Sequence, residues 1–551
     1  MPLRQPALAR LFPDHLCPWL AFLLIGLAAA HHLFYLSQGG PLDLAPDEAH
    51  YWDWSRHLDW SYYSKGPLVA WSIRASCELL GGWSERVTGN LTFAIRLPAV
   101  IYGSLLLASF YVLAVQVLGR PRLGLALVAG GLTVPLITAA SFLITIDSPY
   151  TCCWGWALVC AYRAVTRDEL WAWAATGVLI GVGILAKYTM VLFPVSLALF
   201  LLFSPELRGR LFSVGFVTMG VLALLCCVPI LIWNAQHDWV TFLHVRRLAG
   251  VQAAGEQSLR SGPSFRWYGP FVYLGGQAAL LMGYWFAVWL IAMIACNPWR
   301  QRDLGLRYLW WLSAPVFLLF LGFSFKTGGG EPNWPVTAYL SGAVLAGWWL
   351  AQQLESPRVF YRRATLAAVS AMLLLGLSLT VLMHNTHWVH PLMEKLAGPP
   401  TAMQPYPVRK IDPTCRLRGW AYLGAELDAL REKLQAEDGQ EPILAGYSWS
   451  VPGALGVYCA GHPQAYSVGI LQGDRHSQYD LWHNPIDDPE PFRGRTFVIV
   501  GPLGPATLAG FERVEEPRMV EYREHGRILA GWPVFVCRNF KGFTRPTGAP
   551  H

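Results

Sequence analysis

The sequence predicts an α-helical polytopic membrane protein of about eleven spans with a small C-terminal α/β domain, and three observations predict it. Of 551 residues, 54% are hydrophobic and only 14% are charged, against roughly 25% charged in a soluble domain. Apolar runs long enough to cross a hydrocarbon layer of about 30 Å recur through the first 385 residues and then stop. Arginines, most of them paired, punctuate alternate gaps between those runs.

The runs lie at about 16–36, 94–117, 123–143, 147–164, 171–186, 188–203, 211–233, 271–294, 306–323, 335–354 and 363–383. Several are near the minimum of about 17 residues, and Ile180 to Phe203 divides in more than one way, so roughly ten to thirteen spans fit. With the N-terminus in the cytoplasm, the cytoplasmic segments hold Arg4, Arg10, Arg120, Arg122, Arg163, Arg167, Arg208, Arg210, Arg300, Arg302, Arg307, Arg358, Arg362 and Arg363. Every cytoplasmic turn then carries at least two arginines, as the positive-inside rule requires, and the C-terminus lies outside. The first run lacks a small-residue cleavage site and reads as a retained helix.

The net charge of +7 is mostly this topology signal. No basic block with interleaved aromatics is present, which excludes nucleic acid as a partner. Cys17, Cys152, Cys153, Cys160, Cys226, Cys227 and Cys296 lie in or beside apolar runs and read as small buried hydrophobes. Cys77 falls in the first outer loop, and Cys415, Cys459 and Cys537 fall in the outer C-terminal region. There an oxidising compartment permits a disulfide, with Cys459 and Cys537 the preferred pair. No spacing suggests a structural zinc.

Composition changes sharply at His384-Asn385-Thr386-His387, dividing a membrane body, 1–385, from an outer domain, 386–551. In the latter, Pro399 to Pro413 reads as an irregular connector and Ala421 to Ala436 as an amphipathic helix. Ile443 to Tyr447, Ala465 to Ile470 and Thr496 to Val500 read as strands. The first outer loop, 37–93, is long. Glu48 to Leu58 and Leu68 to Leu80 have helical spacing but too much charge to span, which predicts interfacial helices with Trp52, Trp54, Trp60 and Trp71 at headgroup depth.

The polar chemistry gathers on the outer side. Asp47-Glu48 follows Pro46 at a helix start, where the dipole stabilises an anion; a catalytic base and an N-cap pair fit this spacing equally well. Lys65, in Tyr62-Tyr63-Ser64-Lys65-Gly66-Pro67, sits in a turn fixed by Gly66 and Pro67. Lys187 and Lys326 stand at outer ends of runs. Lysines there oppose the positive-inside bias and call for an anionic partner; a phosphate would serve, and snorkelling is the alternative for each alone. Asp147, His237 and the segment from Lys326 through Asn333 and Trp334 fall on the same side.

These residues form a series. Asp47-Glu48-Ala49-His50-Tyr51-Trp52, Tyr62-Tyr63-Ser64-Lys65-Gly66-Pro67-Leu68-Val69-Ala70-Trp71, Arg96-Leu97-Pro98, Ile146-Asp147-Ser148-Pro149, Leu185-Ala186-Lys187-Tyr188-Thr189, Ile232-Trp233-Asn234 and Pro332-Asn333-Trp334-Pro335 through Tyr339 follow in order. The series resembles bacterial members of the protein-mannosyltransferase-like superfamily, the C-type integral-membrane glycosyltransferases that include lipid A aminoarabinose and galacturonic acid transferases. The resemblance implies a polyprenyl-phosphate sugar donor, a hydroxyl acceptor on lipid A, a polysaccharide, a glycolipid or a protein, and inverting transfer on the outer face of the bacterial inner membrane. It implies a catalytic aspartate at Asp47 with Glu48 in the adjoining acidic position, a donor-phosphate lysine at Lys65, and a second acidic position at Asp147. Ser64 stands where the aminoarabinose enzymes have glutamate, so that sugar is not implied.

A single displacement fits: Lys65, with Lys187, Lys326 or Arg96, holds the leaving phosphate while Asp47 takes the acceptor proton. Tyr62, Tyr63, His237, Asn333 and Trp334 complete the candidate site. No cofactor is required, although Asp47, Glu48 and Asp147 could ligate a divalent cation. The rival class, a transporter of lipid-linked sugars, predicts polar groups through the depth of the spans and on both faces.

Overall fold

The computed structural model describes residues 13–38, 42–248, 265–401 and 404–545; Arg4 and Arg10 lie outside them. Its helices, in chain order, are α1 Cys17–Ser37, α2 Pro46–Arg56, α3 Leu68–Thr88, α4 Thr92–Leu118, α5 Pro121–Gly131, α6 Pro135–Ala140, α7 Asp147–Arg167, α8 Leu170–Ala186, α9 Leu192–Leu202, α10 Val214–Gln236 and α11 Val240–Leu248. There follow α12 Gly269–Leu280, α13 Tyr284–Ala295, α14 Leu304–Trp311, α15 Ala314–Thr327, α16 Ala338–Leu354, α17 Val359–His384, α18 His390–Ala397, α19 Pro407–Ile411, α20 Trp420–Asp438, α21 Pro452–Tyr458 and α22 Pro505–Leu508.

This is a polytopic membrane protein, and all eleven predicted runs are helical for most of their length. Among the described residues five helical segments are long and apolar enough to cross a membrane, α14 and α15 counting together as Leu304–Thr327, and α12 with α13 would make a sixth. That pair is bent by 113°, because Met282 and Gly283 both take positive φ and turn the chain. Run 123–143 is likewise split into α5 and α6, with Gly130-Gly131 ending one helix and Pro135 opening the next.

The chain forms two compact units. The first comprises Met1–Leu33, Lys65–Val69 and Pro98–Val381. Its core is aromatic, with Trp154, Trp173, Phe193, Phe200 and Tyr308 fully buried. Helix α8 lies against α10 through Gly177 and Gly181: a Cβ at Gly177 would fall 2.4 Å from the Met219 carbonyl oxygen, the close approach that small residues four apart permit. At one end, Arg120 pairs with Glu355 at 3.0 Å, Arg122 with Asp14 at 3.2 Å, Arg210 with Asp168 and Arg307 with Glu206. Each bridge joins two segments that the arginine pattern assigns to the same side.

The second unit comprises Phe34–Ser64, Ala70–Leu97 and Leu382–His551. The expected division at 385 thus falls at 381, and most of the first outer loop belongs with the C-terminal chain. Its six-stranded sheet has β1 Ile443–Gly446, β2 Ala465–Ser467, β3 Phe497–Val500, β4 Phe511–Val514, β5 Arg518–Glu524 and β6 Arg527–Phe540. The order is β2-β1-β3-β6-β4, with β5 also paired to β6. The first three strands are parallel and β6 runs antiparallel to its neighbours. Phe497, Ile499, Phe511 and Phe540 fill one face.

Several expectations are corrected here. The stretch from Pro399 to Pro413 is not wholly irregular, since it contains α19. Strands β4, β5 and β6 lacked a clear signal because Arg518–Glu524 is largely charged and Gly531 and Pro533 interrupt β6. Trp52 and Trp54 are buried among protein side chains, Trp54 stacked on Tyr62 at 4.4 Å, so neither is an interfacial anchor; Trp60 is exposed. All eleven cysteines are free. Cys537 is enclosed in the sheet core on β6, whereas Cys459 caps the end of α21, and no disulfide joins them.

Candidate active site

Pro46 fixes the first turn of α2, and Asp47 and Glu48 follow within it. The two carboxylates have opposite fates. Glu48 is fully buried: Oε2 accepts the Ala45 N–H at 2.9 Å and the Arg96 Nη2–H at 2.7 Å, while Oε1 accepts the Arg96 Nε–H at 2.9 Å. Asp47 is half-buried, and its carboxylate has no hydrogen-bond or ion-pair partner among the described residues.

Arg96, near the start of α4, spends its remaining fork on the carbonyls of Leu42 and Asp43 at 2.8 and 2.7 Å. The sequence reading put Arg96 with the donor phosphate and Glu48 with the catalytic groups. Both are instead occupied in a sealed ion pair that ties the Leu42–Asp43 approach, α2 and α4 together. Asp43, which spacing did not single out, accepts the N–H groups of Trp420 and Ala421 at the start of α20. Burial raises its pKa to about 6 despite those donors.

Tyr62 is also a packing residue. It is fully buried, and its hydroxyl donates to the Trp54 and His57 carbonyls at 3.0 and 3.2 Å. Tyr63 is buried, with its backbone N–H donating to Gln478 Oε1 at 2.7 Å. His50, one turn beyond Asp47, accepts from Trp54 Nε1 at 3.1 Å. Burial, then the Arg475 charge, push its pKa down to about 3, so it is a neutral imidazole.

In the first unit, Asp147 opens α7 and gathers two predicted residues: Lys187 Nζ donates to Oδ1 at 2.7 Å and Asn333 Nδ2 donates to Oδ2 at 2.7 Å. Lys187 also lies over the Tyr150 ring at 5.4 Å. The anionic partner that an outer lysine demands is therefore a carboxylate of the protein in this case. Lys65 is half-buried, and its turn is docked through Gly66, where a Cβ would meet the Leu185 carbonyl oxygen at 2.1 Å, two residues before Lys187. Lys326 is exposed in the last turn of α15. Trp334 packs on Phe320 at 5.8 Å, and His237 stacks on Trp233 at 4.0 Å with Nδ1 2.8 Å from the Trp233 carbonyl. Among the described residues none of these three hydrogen-bonds or ion-pairs with Asp147.

Two groups among the described residues could hold a metal ion, His387 with Glu524 and His525, and His390 with Asp412 and Cys415. Neither contains Asp47, Glu48 or Asp147.

Residues 64–233 match the family described as dolichyl-phosphate-mannose-protein mannosyltransferase. The lipid A galacturonosyltransferase RgtD of Rhizobium johnstonii is 28% identical over 331 residues, 60% of this chain and 65% of that one. The undecaprenyl phosphate-alpha-4-amino-4-deoxy-L-arabinose arabinosyl transferase of Pseudomonas aeruginosa is 28% identical over 364 residues, 60% of each. The matches thus span 65% and 60% of these two relatives' lengths. The fold is that of ArnT from Cupriavidus metallidurans bound to undecaprenyl phosphate, with a TM-score of 0.60, 17% identity, and 96% of this chain and 99% of that one covered.

Proposed function

We propose that this chain, with the fold of ArnT and a protein-mannosyltransferase-like segment, is an inverting glycosyltransferase that moves a sugar from a polyprenyl-phosphate donor to a hydroxyl of lipid A or a related glycolipid. One observation carries the assignment of roles. Of the three acidic candidates, Glu48 is committed to Arg96 and Asp147 to Lys187 and Asn333, whereas Asp47 has no partner among the described residues.

Asp47 is the general base. It takes the proton from the acceptor hydroxyl as that oxygen bonds to the anomeric carbon, and the bond from that carbon to the phosphate oxygen breaks on the opposite face. Lys65 holds the charge that collects on the departing phosphate. Glu48 and Arg96 set the position of the helix that carries the base, and Asp147 and Asn333 set Lys187. Charge on the leaving group is met by lysine, so the reaction needs no metal.

The protein resides in a bacterial inner membrane, with the N-terminus cytoplasmic and the C-terminal segment periplasmic. The arginine bridges of the first unit support the grouping of these segments on one side, and the charge bias makes that side the cytoplasm.

The test uses the full chain in nanodiscs, supplied with a polyprenyl-phosphate-linked sugar and lipid A. Mass spectrometry should find lipid A heavier by one sugar residue, and Asp47→Asn should abolish that product. Passage of the donor across vesicles without any adduct would replace this reading with the transporter.

A further inference from the structure

The parallel strands of the second unit run β2-β1-β3, so the chain leaves β1 for one neighbour and returns on its other side. In open α/β sheets such a reversal opens a crevice beyond the carboxyl ends of the strands, and ligands bind there. Here that edge carries Tyr447–Ser450 after β1, the segment leading to Asp474 after β2, and Gly501–Gly504 after β3.

Hydrogen bonds stitch the three returns together. Asp474 accepts the Trp449 N–H at 3.3 Å and the Arg475 N–H at 2.8 Å, and Gln472 Oε1 accepts the Gly504 N–H at 2.8 Å. On this frame Arg475 lays its guanidinium over the Trp449 ring, with Cζ 4.1 Å from the centroid. Arg475 is exposed and has no carboxylate partner among the described residues. The carboxylates beside it are engaged by backbone: Asp474 accepts the two N–H groups above, and Asp480 accepts the Ser477 N–H at 2.7 Å. A planar fork stacked on an aromatic face, with its donors unused, suits a phosphate.

The same edge adjoins the catalytic helix within this unit. The Trp449 ring lies 5.5 Å from His50, three residues along α2 from Asp47. His50 accepts at Nε2, so Nδ1 carries the proton, and that buried donor has no partner among the described residues. Helix α21, which follows the Trp449 turn, lies directly on α2: a Cβ at Gly453 would fall 2.6 Å from the Ala49 carbonyl carbon. Three residues beyond Arg475 is Gln478, which accepts the Tyr63 N–H.

We propose that this strand edge binds the anionic headgroup of the acceptor glycolipid, with Arg475 gripping a phosphate and Trp449 fixing Arg475. The sheet then has a function: it presents the acceptor to the helix that carries the base. This inference rests on the transferase reading, whose own test is separate.

Three probes decide it, each titrated against the full chain in nanodiscs: lipid A with its phosphates, the same lipid A dephosphorylated, and undecaprenyl phosphate. Arg475→Ala should weaken binding of phosphorylated lipid A by about 10- to 100-fold, the loss expected for a charge-assisted hydrogen-bonded pair. Binding of the other two probes should be unchanged, and Arg475→Lys should recover part of the loss. Trp449→Phe, with its melting temperature recorded, should reproduce a smaller part. Unchanged affinity for phosphorylated lipid A, or an equal loss for the dephosphorylated form, overturns the proposal. A loss confined to undecaprenyl phosphate also overturns it, since Arg475 would then serve the donor. Failure of the parent chain to bind undecaprenyl phosphate or to form adduct counts instead against the transferase reading.

Discussion

Arg96 grips Glu48 with two parallel hydrogen bonds, Nε to Oε1 at 2.9 Å and Nη2 to Oε2 at 2.7 Å, and both side chains are sealed from solvent. One residue earlier on the same helix, Asp47 has no partner among the described residues. Adjacent carboxylates therefore divide the labour that sequence left undivided.

That division predicts opposite phenotypes. Asp47→Asn should leave melting temperature near that of the parent and lower transfer by roughly 100-fold or more, as removal of a general base does. Glu48→Gln leaves the buried Arg96 without its counter-charge and should cost about 3–5 kcal/mol of stability. Turnover and thermal melting measured on the same preparations separate the two; parent-like turnover in Asp47→Asn removes it as base.

Lys65→Ala should impair donor binding and Lys65→Arg should restore only part of it. A unit charge pair about 4 Å apart is worth on the order of 4 kcal/mol at an effective dielectric near 20, and arginine changes reach and geometry. Undecaprenyl phosphate titrations per folded molecule check this, and an unchanged affinity in the alanine variant excludes Lys65.

Asp43 gives a pH signature. Its folded pKa of about 6 exceeds the ordinary value of 3.8, so the folded chain holds this proton more tightly than the unfolded chain between those limits. Its contribution to stability then falls as pH rises from about 4 to about 6 and levels off above. Asp43→Asn lacks that loss, so the stability of the variant relative to the parent should climb across this window. A flat difference between pH 4 and 6 would show that Asp43 does not titrate there.

A cysteine introduced at Gly328 should react with an impermeant thiol reagent in intact spheroplasts, and one at Arg302 should not. The reverse pattern would invert the proposed orientation.

Much of this was legible because hydrophobic length, arginine position and short motifs are local properties. The eleven runs, α2, α20 and β1 to β3 follow from spacing alone. The interruption at Met282-Gly283 does not, because nothing nearby announces a methionine at positive φ. The partners of Glu48, Arg96 and Lys187 were not legible for one physical reason: a charge looks available until its partner is known, and Arg96 lies 48 residues from Glu48 while Asp147 lies 40 from Lys187. Arg475, Trp449 and Asp43 had no signal, since they acquire meaning only when the C-terminal chain meets the first loop.

That meeting has a consequence for biogenesis. The Leu44 N–H donates to Tyr458 and the Tyr63 N–H to Gln478, across separations of 414 and 415 residues. At roughly 5–20 residues per second of synthesis, the first loop waits on the order of 20–80 s for the chain that completes it. During that interval Trp52 lacks His462, His50 lacks Trp449 and α2 lacks the α21 backbone at Gly453, and long-range closure of this kind is slow. The vulnerable moment of this protein is thus late in translation, when a nearly finished membrane body carries an unfinished first loop, and a truncation after 385 would leave that loop permanently without its C-terminal partners.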